Sequence, residues 1–311
     1  MDEFELIASI RSLLASEHAH VALGIGDDAA ILAPMAGGAV LSVDAVVDGV
    51  HFDRRWLSLE DVGWRGYAAA LSDLAAMGAS PRAGLLSLVL SSALGDEDVL
   101  ALVRGAGEAA RAFGAPIVGG NLSRGTELSL TSTVVGEAPP APLTRAGARE
   151  GDAVWVTGTL GAAALGLAAL AAGKGDDREA APFVARWRRP TPRFDAARAL
   201  LGVATSAADV SDGLVQDLGH ICEESGVGAV IEEALVPLAD GHEALAESLG
   251  EDALLLALTG GEDYELVFTA PAGAEPPMAT RIGRIERGER VRVLGRDGAE
   301  RAIRRTGHRH R

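Results

Sequence analysis

Strand-like and helix-like apolar segments alternate along the whole chain of 311 residues. Short runs rich in valine, leucine and isoleucine are separated by longer segments with helical periodicity, which is typical of a mixed α and β protein. The predicted strands are 39–43, 85–91, 116–119, 128–135, 153–157, 228–231 and 264–269. The predicted helices are 59–78, 96–113, 161–172, 213–224 and 253–258. This order predicts an α+β fold.

A proline-rich stretch divides the chain near its middle. Residues 138–142 read Ala-Pro-Pro-Ala-Pro, and a Gly-Asp turn at 151–152 leads into the next predicted strand. Because the length exceeds the usual size of one domain, we predict two domains, 1–142 and 143–311. The segment 174–193 is polar and contains several prolines, so we interpret it as a long surface excursion.

The charge balance narrows the classes of partner. The formal net charge is -16, from 28 Lys+Arg and 44 Asp+Glu. Such acidity argues against nucleic acid or an anionic membrane as the main partner. The single cysteine, Cys222, excludes an intrachain disulfide and is typical of a reducing compartment. With an acidic N-terminus and no apolar run of transmembrane length, the chain is predicted to be soluble and cytoplasmic.

Aspartates occur in surroundings that should disfavour them. Asp73 is the only charged residue between Gly66 and Pro81, on a predicted helix with alanine and methionine neighbours. Since an unpaired buried carboxylate costs several kcal/mol, Asp73 needs a partner, either a cation or a salt bridge to another helix. Asp28 in a glycine turn and Asp44 at the end of a predicted strand are weaker signals, because an Asx turn also explains the first.

Two acidic motifs in the second half of the chain also require an explanation. Asp209, Ser211 and Asp212 precede a predicted helix, and helix capping explains either Ser211 or Asp212 but not Asp209. The start of that helix also offers backbone N–H groups suited to phosphate oxygens. Three further acids follow two glycines within 260–265. Carboxylates gathered in one cleft repel each other unless cations separate them.

The type of ligand predicts the type of cation. Carboxylates supplied by several loops fit Mg²⁺, which prefers oxygen ligands and bridges to substrate phosphates, better than zinc. The sequence contains no Walker loop, no protein-kinase HRD or DFG set and no GxSxG motif. Gly119, Gly120 and Asn121 follow a short apolar strand, where backbone can approach a ligand closely. The pattern indicates magnesium-dependent chemistry on phosphates, carried by a less common scaffold.

Eight motifs occur in one order along most of the chain. They are GIGDDAAIL (24–32), SVDAVVDGVHF (42–52), LSDLAAMGASP (71–81), VGGN (118–121), LTRAGAREGD (143–152), VTGTLG (156–161), DVSDGLVQDLGHI (209–221) and GGEDYELVF (260–268). This ordered series resembles the thiamine-monophosphate kinase family. The resemblance implies a two-domain fold like that of aminoimidazole ribonucleotide synthetase, with N-terminal domains that pair in a homodimer. It also implies phosphorylation of thiamine monophosphate by ATP, with several Mg²⁺ ions and direct in-line transfer.

The resemblance further implies a role for individual residues. The implied metal ligands are Asp28, Ser42, Asp44, Asp73, Asn121, Asp209 and Asp212. The implied ATP contacts are Gly120, Asn121, Arg145 and Ser211. His51 and Glu262 are implied to face thiamine monophosphate.

The chain departs from the family pattern at three places. Val43 stands where many members carry a hydroxyl residue, and Asn121 where many carry Asp. The C-terminal residues 307–311 lack the aromatic residue expected near the substrate ring. Two alternatives therefore stay open: a related synthetase of the same fold, and a metal- and ATP-binding protein of this fold without kinase turnover.

Overall fold

The computed structural model describes residues 3–15, 18–26, 28–303 and 307. The α-helices are α1 Glu3–Leu14, α2 Leu59–Ala76, α3 Asp96–Phe113, α4 Ala162–Ala171, α5 Ala181–Arg188, α6 Phe194–Leu200, α7 Leu214–Ser225, α8 His242–Leu249 and α9 Ala253–Thr259. The strands are β1 Val21–Leu23, β2 Ile31–Leu32, β3 Ala39–Val47, β4 Ser80–Ser91, β5 Ile117–Gly125, β6 Ser129–Glu137, β7 Ala153–Thr157, β8 Ser206–Asp209, β9 Gly228–Glu232, β10 Leu266–Ala270, β11 Ala279–Glu286 and β12 Val291–Leu294. Among the described helices, none is both long and apolar enough to cross a bilayer.

The chain divides into two compact units. The first comprises Met1–Leu74 and Ala79–Pro140, and the second comprises Ala75–Gly78 and Ala141–Arg311. The last residues of α2 therefore belong with the second unit. Each unit contains its own larger sheet, and the division falls in the proline-rich stretch.

A four-stranded sheet forms the first unit, in the order β3-β6-β4-β5. Its strands pair antiparallel except β4 and β5, which are parallel and are connected through α3. Because side chains alternate along a strand, β3 presents Val46 to helix α2 and Val43 to the opposite face. That opposite face is open in the single chain and exposes apolar side chains: Leu41 is 67%, Val43 63% and Leu85 41% exposed.

A six-stranded sheet forms the second unit, in the order β12-β9-β11-β7-β10-β8. All of its pairs are antiparallel except β12 with β9. Alternate residues of β10 enter different cores: Val267 packs in the cluster that contains Leu218 of α7, and Phe268 in the cluster that contains Leu200 of α6. Helices therefore cover both faces of this sheet, and both faces need apolar residues.

The structure corrects the predicted boundaries at places that matter for the site. Strand β3 continues to Val47, so Asp44 lies inside the strand and not at its end. Strand β5 runs to Gly125, so Gly120 and Asn121 also lie within a strand. The predicted surface excursion 174–193 is wrong in part, because it contains helix α5 with Phe183, Val184 and Trp187 buried. Its proline stands at the start of α5, where a missing N–H costs nothing.

Helix α3 and strand β7 have the predicted bounds, but several elements were not predicted. Besides α5, these are α6, α8, β1, β2, β8, β11 and β12. Strand β8 reads Ser-Ala-Ala-Asp, with little β-branched character, and it forms because β10 pairs with it.

Candidate functional site

In the first unit, two of the predicted metal ligands touch. The Oγ of Ser42 donates a hydrogen bond to Oδ2 of Asp73 on α2. Ser42 and Asp44 are two residues apart on β3, so both side chains point to the face that α2 covers. The fold thus gathers Ser42, Asp44 and Asp73 on one side of the sheet. Asp28 is exposed in the bend between β1 and β2.

Asn121 lies elsewhere in the same sheet. Strand β5 is the edge strand opposite β3, three strand spacings away, or roughly 14 Å. Asn121 pairs with Ser87 of β4, Ser87 pairs with Thr131 of β6, and Thr131 pairs with Ala45 of β3. Paired residues on neighbouring strands point to the same face of a sheet, so Asn121 points with Ala45 to the open face, away from Asp44. Because Mg²⁺ ligands lie about 2 Å from the ion, Asn121 and Asp44 of one chain do not ligate the same ion.

Gly120 has a structural reason to be glycine. A Cβ at this position would overlap the backbone carbonyl oxygen of Leu86 on the neighbouring strand. The close contact of β4 and β5 therefore requires Gly120 independently of any ligand.

His51 is held in the turn that follows β3. The backbone N–H of Val47 donates to Nδ1 of His51 at 3.2 Å, and the His51 N–H donates to the Val47 carbonyl oxygen at 2.9 Å. Since Nδ1 accepts a hydrogen bond, the neutral ring carries its proton on Nε2. That arrangement leaves Nε2–H as the donor of the imidazole ring.

In the second unit, the structure joins the two acidic motifs. The Glu262 N–H donates to the Ser211 carbonyl oxygen at 2.7 Å, and the Tyr264 N–H donates to the Val210 carbonyl oxygen at 3.0 Å. Gly261 has φ +67°, and a Cβ there would lie 2.5 Å from the Ser211 carbonyl oxygen. The segments around Asp209 and Glu262 are thus packed backbone to backbone, which only glycine at 261 allows.

Asp217 on α7 organises the loop that carries Asp212. Its Oδ2 accepts the backbone N–H groups of Ser211, Asp212 and Gly213 at 3.0, 3.1 and 3.0 Å. The predicted capping by Ser211 or Asp212 is therefore wrong: Gly213 occupies the cap position and Asp217 supplies the acceptor. These three amides before α7 are already bonded, whereas the expectation that N–H groups at the start of the helix bind phosphate stays a prediction.

The acids around this loop lie close enough to interact. Burial, together with the charge of Asp209, raises the pKa of Asp217 to about 8. Asp209 is 5% exposed and Asp217 is 3% exposed. Ligand atoms of Asp212, Asp217 and His220 also lie within 4.8 Å of one another, as a bound metal would require. Asp209 and Asp217 are thus buried carboxyl groups, and Asp212 lies beside Asp217. A hard cation would offset the negative charge of such a group, which burial keeps away from water.

Glu262 occupies a strained segment. Glu262 has φ +61° and Tyr264 φ +51°, a conformation that residues other than glycine adopt rarely. The indole N–H of buried Trp187 donates to Oε2 of Glu262 at 2.9 Å, which fixes the direction of the carboxylate. Strain that surrounding contacts maintain is typical of binding sites.

A buried ionic network lies next to Glu262. The carboxylate of Glu265, whose side chain is 1% exposed, accepts hydrogen bonds from Arg186 at 2.8 Å and from Nε of Arg193 at 2.8 Å. It also accepts the hydroxyl of Thr157 at 2.6 Å. Asp263, one residue before Tyr264, accepts hydrogen bonds from the N–H groups of Gly161 and Ala163 and so caps helix α4. Burial raises the pKa of the Asp263 carboxyl group to about 6.

Arg145 is distant from Ser211 within the second unit. Ser225, the last residue of α7, donates to the Arg145 carbonyl oxygen at 3.2 Å, whereas Ser211 and Asp212 precede the first residue of that helix. Twelve residues of α-helix span roughly 18 Å. Arg145 and Ser211 therefore lie at opposite ends of α7.

Comparisons with known proteins agree along nearly the whole chain. The family model of the N-terminal domain of AIR synthase related proteins matches residues 26–138, and that of the C-terminal domain matches residues 149–296. The thiamine-monophosphate kinase of Escherichia coli strain K12 is 41% identical over 274 residues, which cover 86% of this chain and 82% of that protein. The chain belongs to the thiamine-monophosphate kinase family.

Solved structures of the family share the fold. The thiamine-monophosphate kinase from Stenotrophomonas maltophilia K279a superposes with a TM-score of 0.85 at 37% identity, covering 97% of this chain and 98% of that chain. The structure described as AaThiL complexed with AMPPCP and TMP gives a TM-score of 0.82 at 35% identity, covering 98% and 96%. The predicted two-domain α+β fold and the resemblance to thiamine-monophosphate kinases are both confirmed.

Sequence reasoning missed two residues of the candidate site. Asp217 carried the same signal as Asp73, because Leu214 and Ile221 share its face of α7 and are apolar and buried. No pattern in the sequence indicated Trp187, since its hydrogen bond to Glu262 joins residues that are 75 positions apart. The C-terminal residues 308–311 lie outside the described part of the chain, so the expectation of a missing aromatic contact is not tested. Gly307 is buried beside the carbonyl oxygen of Asp212.

Proposed function

We propose that this protein phosphorylates thiamine monophosphate with ATP to give thiamine diphosphate. The observation that carries the proposal is the relative complexed with AMPPCP, an ATP analogue, and TMP, which aligns with 98% of this chain. In a protein of this family we take TMP to be thiamine monophosphate. The joined acidic motifs of the second unit and the Ser42–Asp73 contact of the first support the same activity.

The donor sets of both units suit magnesium. We propose Asp28, Ser42, Asp44, Asp73 and Asn121 in the first unit, and Asp209 and Asp212 in the second, as ligands of several ions. All seven offer oxygen atoms, and the effect of Asp209 on the pKa of Asp217 is a sign of crowded negative charge. Bound magnesium would neutralise the phosphate oxygens and so reduce their mutual repulsion.

The transfer is proposed to be direct and in line, without a phosphorylated enzyme. The substrate phosphate is already ionised near neutral pH, so the chain needs to supply no general base. Its residues orient the reactants: Gly120, Asn121, Arg145 and Ser211 contact ATP. Because its proton is on Nε2, the His51 ring is able to donate to a substrate oxygen. Glu262, held by Trp187, offers a carboxylate to the cationic thiazolium ring.

A product assay tests the activity. The purified protein is incubated with ATP, Mg²⁺ and thiamine monophosphate, and thiamine diphosphate and ADP are separated by chromatography. We expect equal amounts of both products and none without Mg²⁺. Binding of both substrates without product would favour the alternative of a metal- and ATP-binding protein. A phosphorylated side chain trapped during turnover would contradict direct transfer.

We also propose a homodimer built on the first unit. The open sheet face exposes the apolar side chains of Leu41, Val43 and Leu85, and it suits a second copy of itself, since a two-fold interface brings the same patch together twice. The domain division 1–142 and 143–311 stays our proposal for the functional domains. A cytoplasmic location remains a proposal as well, supported by the lone, buried Cys222.

A further inference from the structure

The hydroxyl of Ser225, the last residue of α7, is bonded outside its own helix. Hydroxyl side chains in helices often donate to a carbonyl oxygen three or four residues earlier, as those of Ser9, Ser248 and Thr259 do in this chain. Ser225 instead donates to the carbonyl oxygen of Arg145, which is 80 residues away in the sequence. The end of α7 is therefore tied to a distant loop.

The Ser225 hydroxyl uses all of its hydrogen-bonding capacity on that loop. It donates to the Arg145 carbonyl oxygen at 3.2 Å, and its oxygen accepts the backbone N–H groups of Gly147 and Ala148, each at 3.1 Å. A hydroxyl has one donor and two acceptor sites, so all three are occupied. The three bonds hold the loop on both sides of Ala146 and fix the backbone that carries the Arg145 side chain.

The position of Ser225 is itself fixed by the way α7 ends. Gly226 has φ +66°, and its N–H donates to the Glu223 carbonyl oxygen at 3.3 Å. The Val227 N–H donates to the Cys222 carbonyl oxygen at 3.0 Å, which completes a Schellman motif. Because Cys222 is buried in the core of the second unit, the helix end has a defined place from which Ser225 holds the loop.

The loop also approaches strand β8 closely. The Ala207 N–H donates to the Thr144 carbonyl oxygen at 2.8 Å. Gly147 has φ +124°, and a Cβ there would lie 2.3 Å from the Thr205 carbonyl oxygen. The backbone at Arg145 is thus held from two sides, by the end of α7 and by the start of β8.

The Arg145 side chain differs from the backbone that carries it. The residue is exposed, and in the part of the chain that the structure describes its guanidinium group makes no hydrogen bond and no ion pair. By contrast, the exposed Arg287 and Arg290 pair with Glu150 and Glu300. A fixed backbone with an unpaired cationic group suits a phosphate ligand, because only the side chain has to be ordered when the ligand binds.

We propose that Ser225 is a positioning residue for ATP, which fixes the loop from which Arg145 reaches the phosphates of the nucleotide. The inference rests on the proposed function, in which Arg145 contacts ATP, and it adds a residue that lies outside the eight motifs. Ser225 acts through the backbone of Arg145 and does not touch the nucleotide.

Removing the hydroxyl tests this role. Ser225→Ala leaves one carbonyl oxygen and two N–H groups of the loop without their partner. In calorimetric titrations with Mg²⁺, we expect its Kd for AMPPCP to rise about fivefold, while its Kd for thiamine monophosphate stays within about twofold of the wild type. Ser225→Thr keeps the hydroxyl and should restore the affinity. Ser248→Ala removes a hydroxyl that is bonded within its own helix and is the matched control.

A double-mutant cycle separates positioning from a general loss of stability. Arg145→Met removes the charge and should by itself raise the Kd for AMPPCP about tenfold or more. If Ser225 acts through Arg145, adding Ser225→Ala to Arg145→Met should change that Kd by less than about twofold. An unchanged Kd in Ser225→Ala, or a loss of about fivefold that persists in the Arg145→Met background, would overturn the proposal.

Two glycines of the same loop provide a second test if Ser225→Ala does not fold. Gly147→Ala would press the loop against Thr205, whereas Gly151→Ala, at φ +92°, has no atom within 4 Å of its Cβ. We expect only Gly147→Ala to weaken AMPPCP, and equal affinities in the two variants would contradict the proposal. Calorimetry needs no turnover, so absent product with normal binding of both ligands contradicts only the kinase activity. A wild type that does not bind AMPPCP contradicts both.

Discussion

At the scale of single residues, acids placed among apolar neighbours gave the most reliable signal. Asp73 and Asp217 both lie on helices whose neighbouring side chains are buried. The structure gives them different surroundings: the Ser42 hydroxyl contacts Asp73, whereas three backbone amides converge on Asp217. The same sequence signal therefore marks a proposed ligand in one case and a loop-organising residue in the other.

Replacing Asp73 by asparagine should abolish function without unfolding the protein. Asp73→Asn keeps an acceptor for the Ser42 hydroxyl but removes a charge that we propose binds magnesium, so turnover should fall by about 100-fold or more. The melting temperature without metal should be unchanged or higher, because negative charge is removed. Steady-state kinetics and thermal unfolding provide both readouts, with Asp176→Asn as an exposed control. An unfolded variant would identify Asp73 as a structural salt-bridge partner instead.

Asp263 should make stability depend on pH. Burial raises its pKa to about 6 from the ordinary 3.8, so the folded protein keeps a proton that the unfolded chain has lost between these values. Its contribution to the free energy of unfolding is therefore greatest at low pH and is lost as the pH rises through 6. Between pH 5 and pH 8 the loss should be about 1.4 kcal/mol.

Urea unfolding of the wild type and Asp263→Asn at several pH values measures this contribution. Asparagine does not titrate, and its single amide oxygen retains an acceptor for either the Gly161 or the Ala163 N–H group, but not for both. The difference in unfolding free energy between the two proteins should decrease from pH 5 to pH 8. A constant difference would show that Asp263 has an ordinary pKa in the folded protein.

At the scale of elements, the second unit depends on two loops that dock backbone to backbone. The loop before α7 and the segment before β10 exchange hydrogen bonds through Val210, Ser211, Glu262 and Tyr264. These contacts are backbone hydrogen bonds, so the alignment of the two segments depends on close approach at Gly261. The strained Glu262 follows directly from this arrangement.

Gly261→Ala should separate the two loops. The added Cβ would be both in a left-handed backbone and 2.5 Å from the Ser211 carbonyl oxygen. Gly250→Ala is the matched control, because Gly250 has φ +73° with no atom within 4 Å of a Cβ. The control should lose about 1 kcal/mol of stability from backbone strain, and Gly261→Ala should lose more, together with most activity. Equal losses in the two variants would show that loop docking is not sensitive to position 261.

At the scale of the whole molecule, one sheet face of the first unit, with the exposed apolar side chains of Leu41 and Val43, is open to solvent in the single chain. Leu41 and Val43 alternate with Ser42 and Asp44 on β3, so the strand carries the proposed interface on one face and proposed metal ligands on the other. Pairing of two copies through this sheet would position the ligand-bearing strand as well as bury the apolar surface.

Leu41→Asp should therefore produce monomers. A charge at the centre of a buried apolar interface is strongly unfavourable, whereas it is tolerated at a surface. Met278→Asp, at a residue 60% exposed in the second unit, is the control and should leave the dimer intact. Analytical ultracentrifugation at several concentrations measures the change. A wild-type protein that is monomeric at all concentrations would contradict the dimer.

The sequence by itself determined the family and the α+β class, and it singled out the acids that we propose bear on function. It could do so because apolar periodicity and buried charge are local properties, and because the eight motifs keep their order over most of the chain. Helix α3 and strand β7 were predictable to the residue for this reason. Strand β8 was not, since its four small or polar residues become a strand only through pairing with β10.

Only the tertiary structure decided which of the candidate residues meet. It brought Ser42 to Asp73 and Glu262 to Ser211, it turned Asn121 away from Asp44, and it bonded the amides before α7 to Asp217. These outcomes depend on strand order, register and the approach of backbones distant in sequence. No residue type encodes such relations locally, because they arise from the packing of the whole unit.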